Sequence, residues 1–312
     1  MVQTGGRGIY LITDKGEEII DGPGGMWNVQ VGYGEQRMAE AIGRQAMAMG
    51  YNSPWHGTSG PAAELAQKIA NLAPAGLNRV FFTTGGSTAT DSALQFVAYR
   101  NNFLGRPEKK TILARLGAYH GSTYLSHTVS GAVDKMDQDD PMVARLSNPD
   151  PLGRPAGATL QEWEDQLVVE LEATIAERGA ETIGAMIAEP IMGAGGVIVA
   201  PPGYLRRCQQ ICTANDIAFI ADEVVTAFGR LGHYFASADV FGMEPDIICF
   251  AKGVTSGYQP LGGLLISDRF LEALDAQGGM FNTGFTYSGH PVRTTRPRAA
   301  AAAAAAARRQ SS

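Results

Sequence analysis

From Val80 onward, short apolar runs alternate with stretches long enough to hold a helix: residues 112–114, 183–188, 217–221 and 247–250 are each nearly free of polar side chains. Strands buried on both faces read as continuous hydrophobic runs, and parallel neighbours need a crossover of a dozen or more residues between them. The pattern therefore predicts an α/β fold, a mostly parallel sheet with helices on both faces. Ahead of it, residues 9–21 alternate around Asp14-Lys15-Gly16 and predict a hairpin, while residues 36–49 and 61–72 predict helices. Residues 134–159 are rich in Pro, Gly and Asp and predict a surface loop near the mouth of a site on the sheet edge.

Two apolar runs end in ionisable groups. Residues 217–221 lead into Asp222 and Glu223, and residues 246–251 lead into Lys252. A lysine at a strand end often only marks the exit to solvent, and an aspartate there often caps the next helix. A third element changes the balance. Thr83-Thr84-Gly85-Gly86-Ser87-Thr88 follows a strand-like Arg79-Val80-Phe81-Phe82 and opens a helical stretch at residues 93–99. Glycines admit an anion close to the backbone, Ser87 and Thr88 add hydroxyl donors, and a helix N-terminus adds unpaired N–H groups. The spacing matches neither a Walker loop nor the dinucleotide fingerprint. A phosphate cup, a strand-end lysine and a strand-end carboxylate suit one cofactor, pyridoxal 5′-phosphate: Lys252 to join it, Asp222 to pair with its ring nitrogen, the cup to hold its phosphate.

With these motifs in order from about Gly8 to His290, the chain resembles the class III aminotransferases of pyridoxal-phosphate fold type I, in the omega-amino acid or amine:pyruvate branch. The resemblance implies roles at matching positions. Gly86 and Ser87 fall at the phosphate, although Thr88 stands where an acid is more usual. Tyr119-His120-Gly121 matches the segment whose aromatic ring stacks on the cofactor. The bland readings are an interface tyrosine and a hydrogen-bonded loop histidine, and the latter is preferred to an acid/base role for His120. Val224 matches the residue on the ring's other face. Glu189, before Pro190, matches a glutamate near the substrate, or is a solvated strand end. Trp27 and Trp55 match segments lining the substrate entrance, though aromatics at element ends also serve as packing anchors. Thr286 matches a threonine that reaches the partner subunit's phosphate, which implies a homodimer with a shared site. The implied activity transfers an amino group from an omega-amino acid or amine to a keto acid such as pyruvate. Lys252, once released, acts as the proton-transfer base. An aminomutase, a decarboxylase and an inactive cofactor-binding fragment are the alternatives.

The 312 residues, 45% of them hydrophobic, suffice for a large core. The expected division is an N-terminal hairpin and helix segment at 1–45, a cofactor-binding domain at 46–292 and an Arg/Ala-rich tail at 293–312. Relatives continue from there into a small C-terminal domain, whose substrate-carboxylate arginine is expected to be missing, so a truncation or frame change is the expectation. The family's entry segment is likewise expected to be missing at the start. The tail carries five arginines and no acid, so the remainder is more acidic than the formal −6 of the whole, which argues against nucleic acid. No apolar run approaches the roughly 18 residues of a membrane span, and no signal-like segment opens the chain, so a cytoplasmic protein is expected. Cys208, Cys212 and Cys249 read as reduced packing residues, with no histidine spaced for a metal.

Overall fold

The computed structural model describes residues 1–131 and 140–295. A small antiparallel sheet of β1 (Gln3–Arg7), β2 (Tyr10–Thr13) and β3 (Glu18–Ile20) comes first. The expected hairpin is its β2/β3 half, with Tyr10 opposite Ile20; β1 adds a strand that was not anticipated. A kinked turn α1 (Gly24–Trp27) and the helices α2 (Gln36–Ala48) and α3 (Gly60–Leu72) follow. Helix α2 runs unbroken across residue 45, where the sequence suggested a boundary.

The main unit alternates as expected: β4 (Leu77–Thr83), α4 (Gly86–Phe103), β5 (Thr111–Arg115), α5 (Tyr124–Val129), β6 (Val143–Leu146), α6 (Leu160–Arg178), β7 (Ile183–Ala188), α7 (Tyr204–Ala214), β8 (Ala218–Asp222), α8 (Ala236–Asp239) and β9 (Ile247–Phe250). Then come β10 (Gly262–Ser267), α9 (Asp268–Asp275) and α10 (Pro291–Thr294). The seven strands lie in the order β4-β10-β9-β8-β7-β5-β6. Every pairing is parallel except the two made by β10, which runs against both β4 and β9.

One expectation is corrected here. Residues 134–159 are not simply a loop: β6 lies within them and pairs in parallel with β5, Ile112 opposite Val143 and Arg115 opposite Leu146. As an edge strand only four residues long, β6 has too little apolar sequence to stand out among Pro, Gly and Asp. Residues 134–139 of that stretch, and 296–312 of the expected tail, lie outside the described residues.

The sheet alternation sorts the core. Ile112, Ala114, Ile187, Ile220, Ile247 and Cys249 face α4, which presents Ala89, Ala93 and Val97 at helical spacing. Leu113, Met186 and Phe219 face the other way, toward Leu167 and Leu171 of α6 and Leu205 of α7. Farther along that same face, Ile248, Phe250 and Leu265 meet Leu65 and Ile69 of α3. With both faces covered, the free rim of the parallel strands is their carboxyl end, where open α/β sheets bind ligands.

Candidate active site

A cavity of about 790 Å³ opens at that rim. It takes in Gly86, Ser87, Tyr119, His120, Glu189, Asp222, Val224, Lys252 and Trp27, nine of the eleven site residues expected from sequence. Trp55 and Thr286 stand apart from it. Trp55 is exposed and lines a second cavity of about 300 Å³ with Gly284 and Ser288, while the main-chain oxygen of Thr286 accepts from the Tyr51 hydroxyl at 3.0 Å. None of the described residues 140–159 lines the main cavity, so the expected loop at its mouth is not seen there.

The cup is the turn between β4 and α4. Gly85 is fully extended, and among the described residues no side chain caps the 18-residue helix that starts at Gly86. Its first N–H groups and the positive end of its dipole therefore meet the cavity uncompensated. A Cβ on Gly86 would sit 3.0 Å from Cγ1 of Val224, so this turn rests directly on Val224. Gly121 lies equally close to the cup: a Cβ there would fall 2.7 Å from the Ser87 Cα. Ser87 faces the cavity, its Oγ accepting from the Ser122 N–H at 2.9 Å and keeping its own hydrogen to donate. Thr88 is a correction. Its hydroxyl turns back into the loop, donating to the Gly85 carbonyl at 3.0 Å and accepting from the Thr84 N–H at 3.2 Å, so it braces the cup without facing a ligand.

The carboxylate and the amine arrive on neighbouring parallel strands. Asp222 ends β8 directly opposite Cys249 of β9, and Lys252 follows β9 by two residues in a 3₁₀ turn. Asp222 is 4% exposed. Its Oδ1 accepts from the Val224 N–H at 3.1 Å, and its Oδ2 lies 2.7 Å from Nδ1 of His120. An ionised carboxylate can only accept, so Nδ1 is then the donor, while Nε2 has no partner among the described residues. His120 is itself fixed at both ends of its main chain, its N–H on the Ser130 hydroxyl at 2.8 Å and its carbonyl on Thr90 at 2.9 Å. The histidine is thus hydrogen-bonded, as expected, and its partner is the site carboxylate.

Lys252 holds a left-handed φ of 35°, a strained value for a side chain with a Cβ. Among the described residues it makes no ion pair within 4.0 Å. Burial lowers its pKa from the ordinary lysine value, and the charges of Asp222 and Glu189 only partly oppose this. Glu189, 4% exposed, stands one residue past β7. Its Oε1 accepts from the Tyr119 N–H at 3.0 Å and its Oε2 from the Gly193 N–H at 2.9 Å. Burial raises its pKa, His120 opposes the rise, and Asp222 adds to it. Glu223 points elsewhere, accepting from Thr226, Ala236 and Ser237. It anchors α8.

The roof is the segment around Trp27. The Asp21 carboxylate accepts from the Gly25 N–H and the Tyr33 hydroxyl, both at 2.6 Å, which pushes the Tyr33 phenol up to about 12. Trp27, at φ 59°, lays its ring against Gly193 beside Glu189. Past it, Val31 N–H donates to Ser256 at 2.9 Å and Tyr258 bridges Gly32 and Glu35, tying roof to lysine loop. These ties join residues more than 220 apart and leave no trace in local sequence.

An uncapped helix end, a half-buried lysine and a histidine-held carboxylate lining one cavity fit pyridoxal phosphate. The comparisons agree. The Aminotransferase class-III family model matches residues 1–307. The putrescine–pyruvate aminotransferase of Pseudomonas aeruginosa is 41% identical over 293 residues, which cover 93% of this chain and 64% of that protein. The diaminobutyrate–2-oxoglutarate transaminase of Halomonas elongata is 40% identical, with 93% and 64% covered. Among solved structures, an (S)-enantioselective omega-transaminase from Thermomicrobium roseum superposes with a TM-score of 0.93 at 37% identity, over 99% of this chain and 69% of that one. The omega transaminase of Pseudomonas jessenii in complex with PMP gives 0.91 at 37% identity, over 95% and 67%. The chain spans slightly less than two thirds of the curated relatives it matches. Its fold, the order of its site motifs and these likenesses make it a member of the class-III aminotransferases.

Proposed function

We propose that the chain is the cofactor-binding part of a pyridoxal-phosphate-dependent aminotransferase that moves an amino group from an amine or omega-amino acid to a keto acid such as pyruvate. The observation that carries this is the convergence of Lys252, Asp222 and the uncapped start of α4 on one cavity. When bound, pyridoxal phosphate supplies the electron sink that makes a proton next to an amine removable. The protein's own residues do the rest. Gly86, Ser87 and the helix end hold the phosphate dianion. Asp222, kept in place by His120 and the Val224 N–H, favours a protonated ring nitrogen. Tyr119 and Val224 offer a flat and an aliphatic surface for the two faces of a ring. Lys252, its pKa lowered by burial, is shifted toward the neutral amine that a base moving a proton on a substrate carbon requires. Trp27 and Glu189 wall the substrate side.

A homodimer in the cytoplasm belongs to the same proposal. Exposed Trp55, Tyr51 and Tyr287 flank Thr286 on one surface, as residues reaching a partner's site would, and all three cysteines are free. The test is an absorbance titration with pyridoxal phosphate followed by an assay for alanine formed from pyruvate and an amine donor. Wild-type chain is expected to take up the cofactor and form alanine, and Lys252→Ala to lose turnover along with the visible-edge absorbance. Cofactor uptake with no alanine would favour a different pyridoxal-phosphate reaction or an inactive cofactor-binding fragment, and unchanged turnover in Lys252→Ala would defeat the assignment.

A further inference from the structure

Arg115, the last residue of β5, is the largest side chain buried to less than 2% exposure. A buried guanidinium is costly unless it is paired, yet among the described residues Arg115 has no carboxylate within 4.0 Å and its Nε has no partner. Among the described residues, its guanidinium makes one hydrogen bond, from Nη2 to the main-chain carbonyl of Glu189 at 2.7 Å. The groups facing it identify its counter-charge. From α7 come Tyr204 and Cys208, both neutral at ordinary pH because burial raises them; Glu170 of α6 acts on Tyr204 and accepts from the Ser147 N–H and hydroxyl. From the end of β7 comes Glu189, whose upward push from burial Arg115 opposes. Glu189 in turn faces His120, Asp222 and Lys252 across the cavity.

We propose that Arg115 is a positioning residue of the site: from beneath the cavity it holds the Glu189 main chain and keeps the Glu189 side chain an anion, so that both carboxylate oxygens accept and Tyr119 is fixed in place. The geometry makes the link direct. Glu189 holds Tyr119 through Oε1 and Gly193 through Oε2. A protonated carboxyl gives up part of its acceptor capacity to an O–H, which loosens one of these two N–H groups. Burial and Asp222, on the neighbouring strand end, push Glu189 toward that protonated state; His120, the Tyr119 N–H and then Arg115 push back.

The consequence for turnover rests on the function proposed above, but the test does not. In the cofactor-free protein, Glu189 ionisation is followed by difference infrared spectroscopy of the protonated-carboxyl band, with Glu189→Gln identifying the band. Hydrogen exchange of the Tyr119 amide is measured in parallel. Arg115→Met is expected to move Glu189 protonation up by about one pH unit or more, a tenfold change in proton concentration, and to speed Tyr119 exchange; Arg115→Lys should stay near wild type. In urea denaturation, Arg115→Met should cost the folding constant about tenfold less in the Glu189→Gln background than in the wild-type background. Glu189 titrating as in wild type, or an equal cost in both backgrounds, including failure to fold in both, overturns the proposal. Alanine assays that fail while this coupling is present would sink the aminotransferase reading alone.

Discussion

Lys252 is placed where its own charge works against folding. Below its lowered folded pKa both states hold the proton, and the native state bears the full cost of a buried cation. Between that value and the ordinary 10.5, the unfolded chain still binds a proton that the folded one has released, so stability rises with pH. Above 10.5 the cost is gone. Lys252→Met should therefore be more stable than wild type at neutral pH, with an advantage that shrinks toward pH 10.5; urea melts of the cofactor-free protein across that range would show it, and a pH-independent gap would contradict it. At the cup, Gly86→Ala drives a methyl against Val224 and should weaken pyridoxal phosphate binding by about tenfold or more, in line with the 1–3 kcal/mol of overpacking, with Val224→Ala restoring part of it. The buried thiols, Cys208 pushed up to about 12 among them, should stay unreactive toward thiol reagents in the native protein and react once it is unfolded. Much of this site was legible because a strand-end lysine, a strand-end carboxylate and a glycine turn opening a helix occur together, although either ionisable residue alone often marks only the exit to solvent. The contact between His120 and Asp222 was not, since 102 residues separate them and only the sheet order brings them together.

The elements that sequence reading recovered are those with a strong local signal. β7 and β8 are wholly apolar up to their ends, and α3 shows a clear period. The expected loop stops at Thr159 because α6 starts there, with a capping box in which Thr159 accepts from the Glu162 N–H and Glu162 from the Thr159 N–H. Thr159→Ala should cost about 1 kcal/mol in a denaturation experiment while leaving the cavity unchanged. β10 was missed for an opposite reason: Pro260-Leu261-Gly262-Gly263 carries turn residues, and the strand exists only because β4 and β9 supply hydrogen-bonding edges on both sides. Arg115 was passed over as well, since a charged residue closing a short strand ordinarily marks solvent, and only the cover of α6 and α7 buries it.

At the scale of the molecule, one sheet divides the core, and adjacent residues on a strand serve different layers. Leu113 is fully buried toward α6 and α7, while Ile112 and Ala114 face α4. Leu113→Ala should destabilise the protein by about 2–5 kcal/mol and shift a single unfolding transition, seen alike by far-ultraviolet dichroism and tryptophan emission; separate transitions would mean that the two layers unfold independently. The antiparallel β10 adds a condition on biosynthesis. β4, which leads into the phosphate cup, has β10 as its sole ladder partner among the described residues, and of the seven strands of this sheet β10 is synthesised last. A nascent chain therefore carries two open edges until residues 262–267 emerge, and their late insertion between β4 and β9 joins the edge strand to the rest of the sheet. Stalled chains ending before that point should leave residues 77–83 open to protease, and chains released beyond it should not.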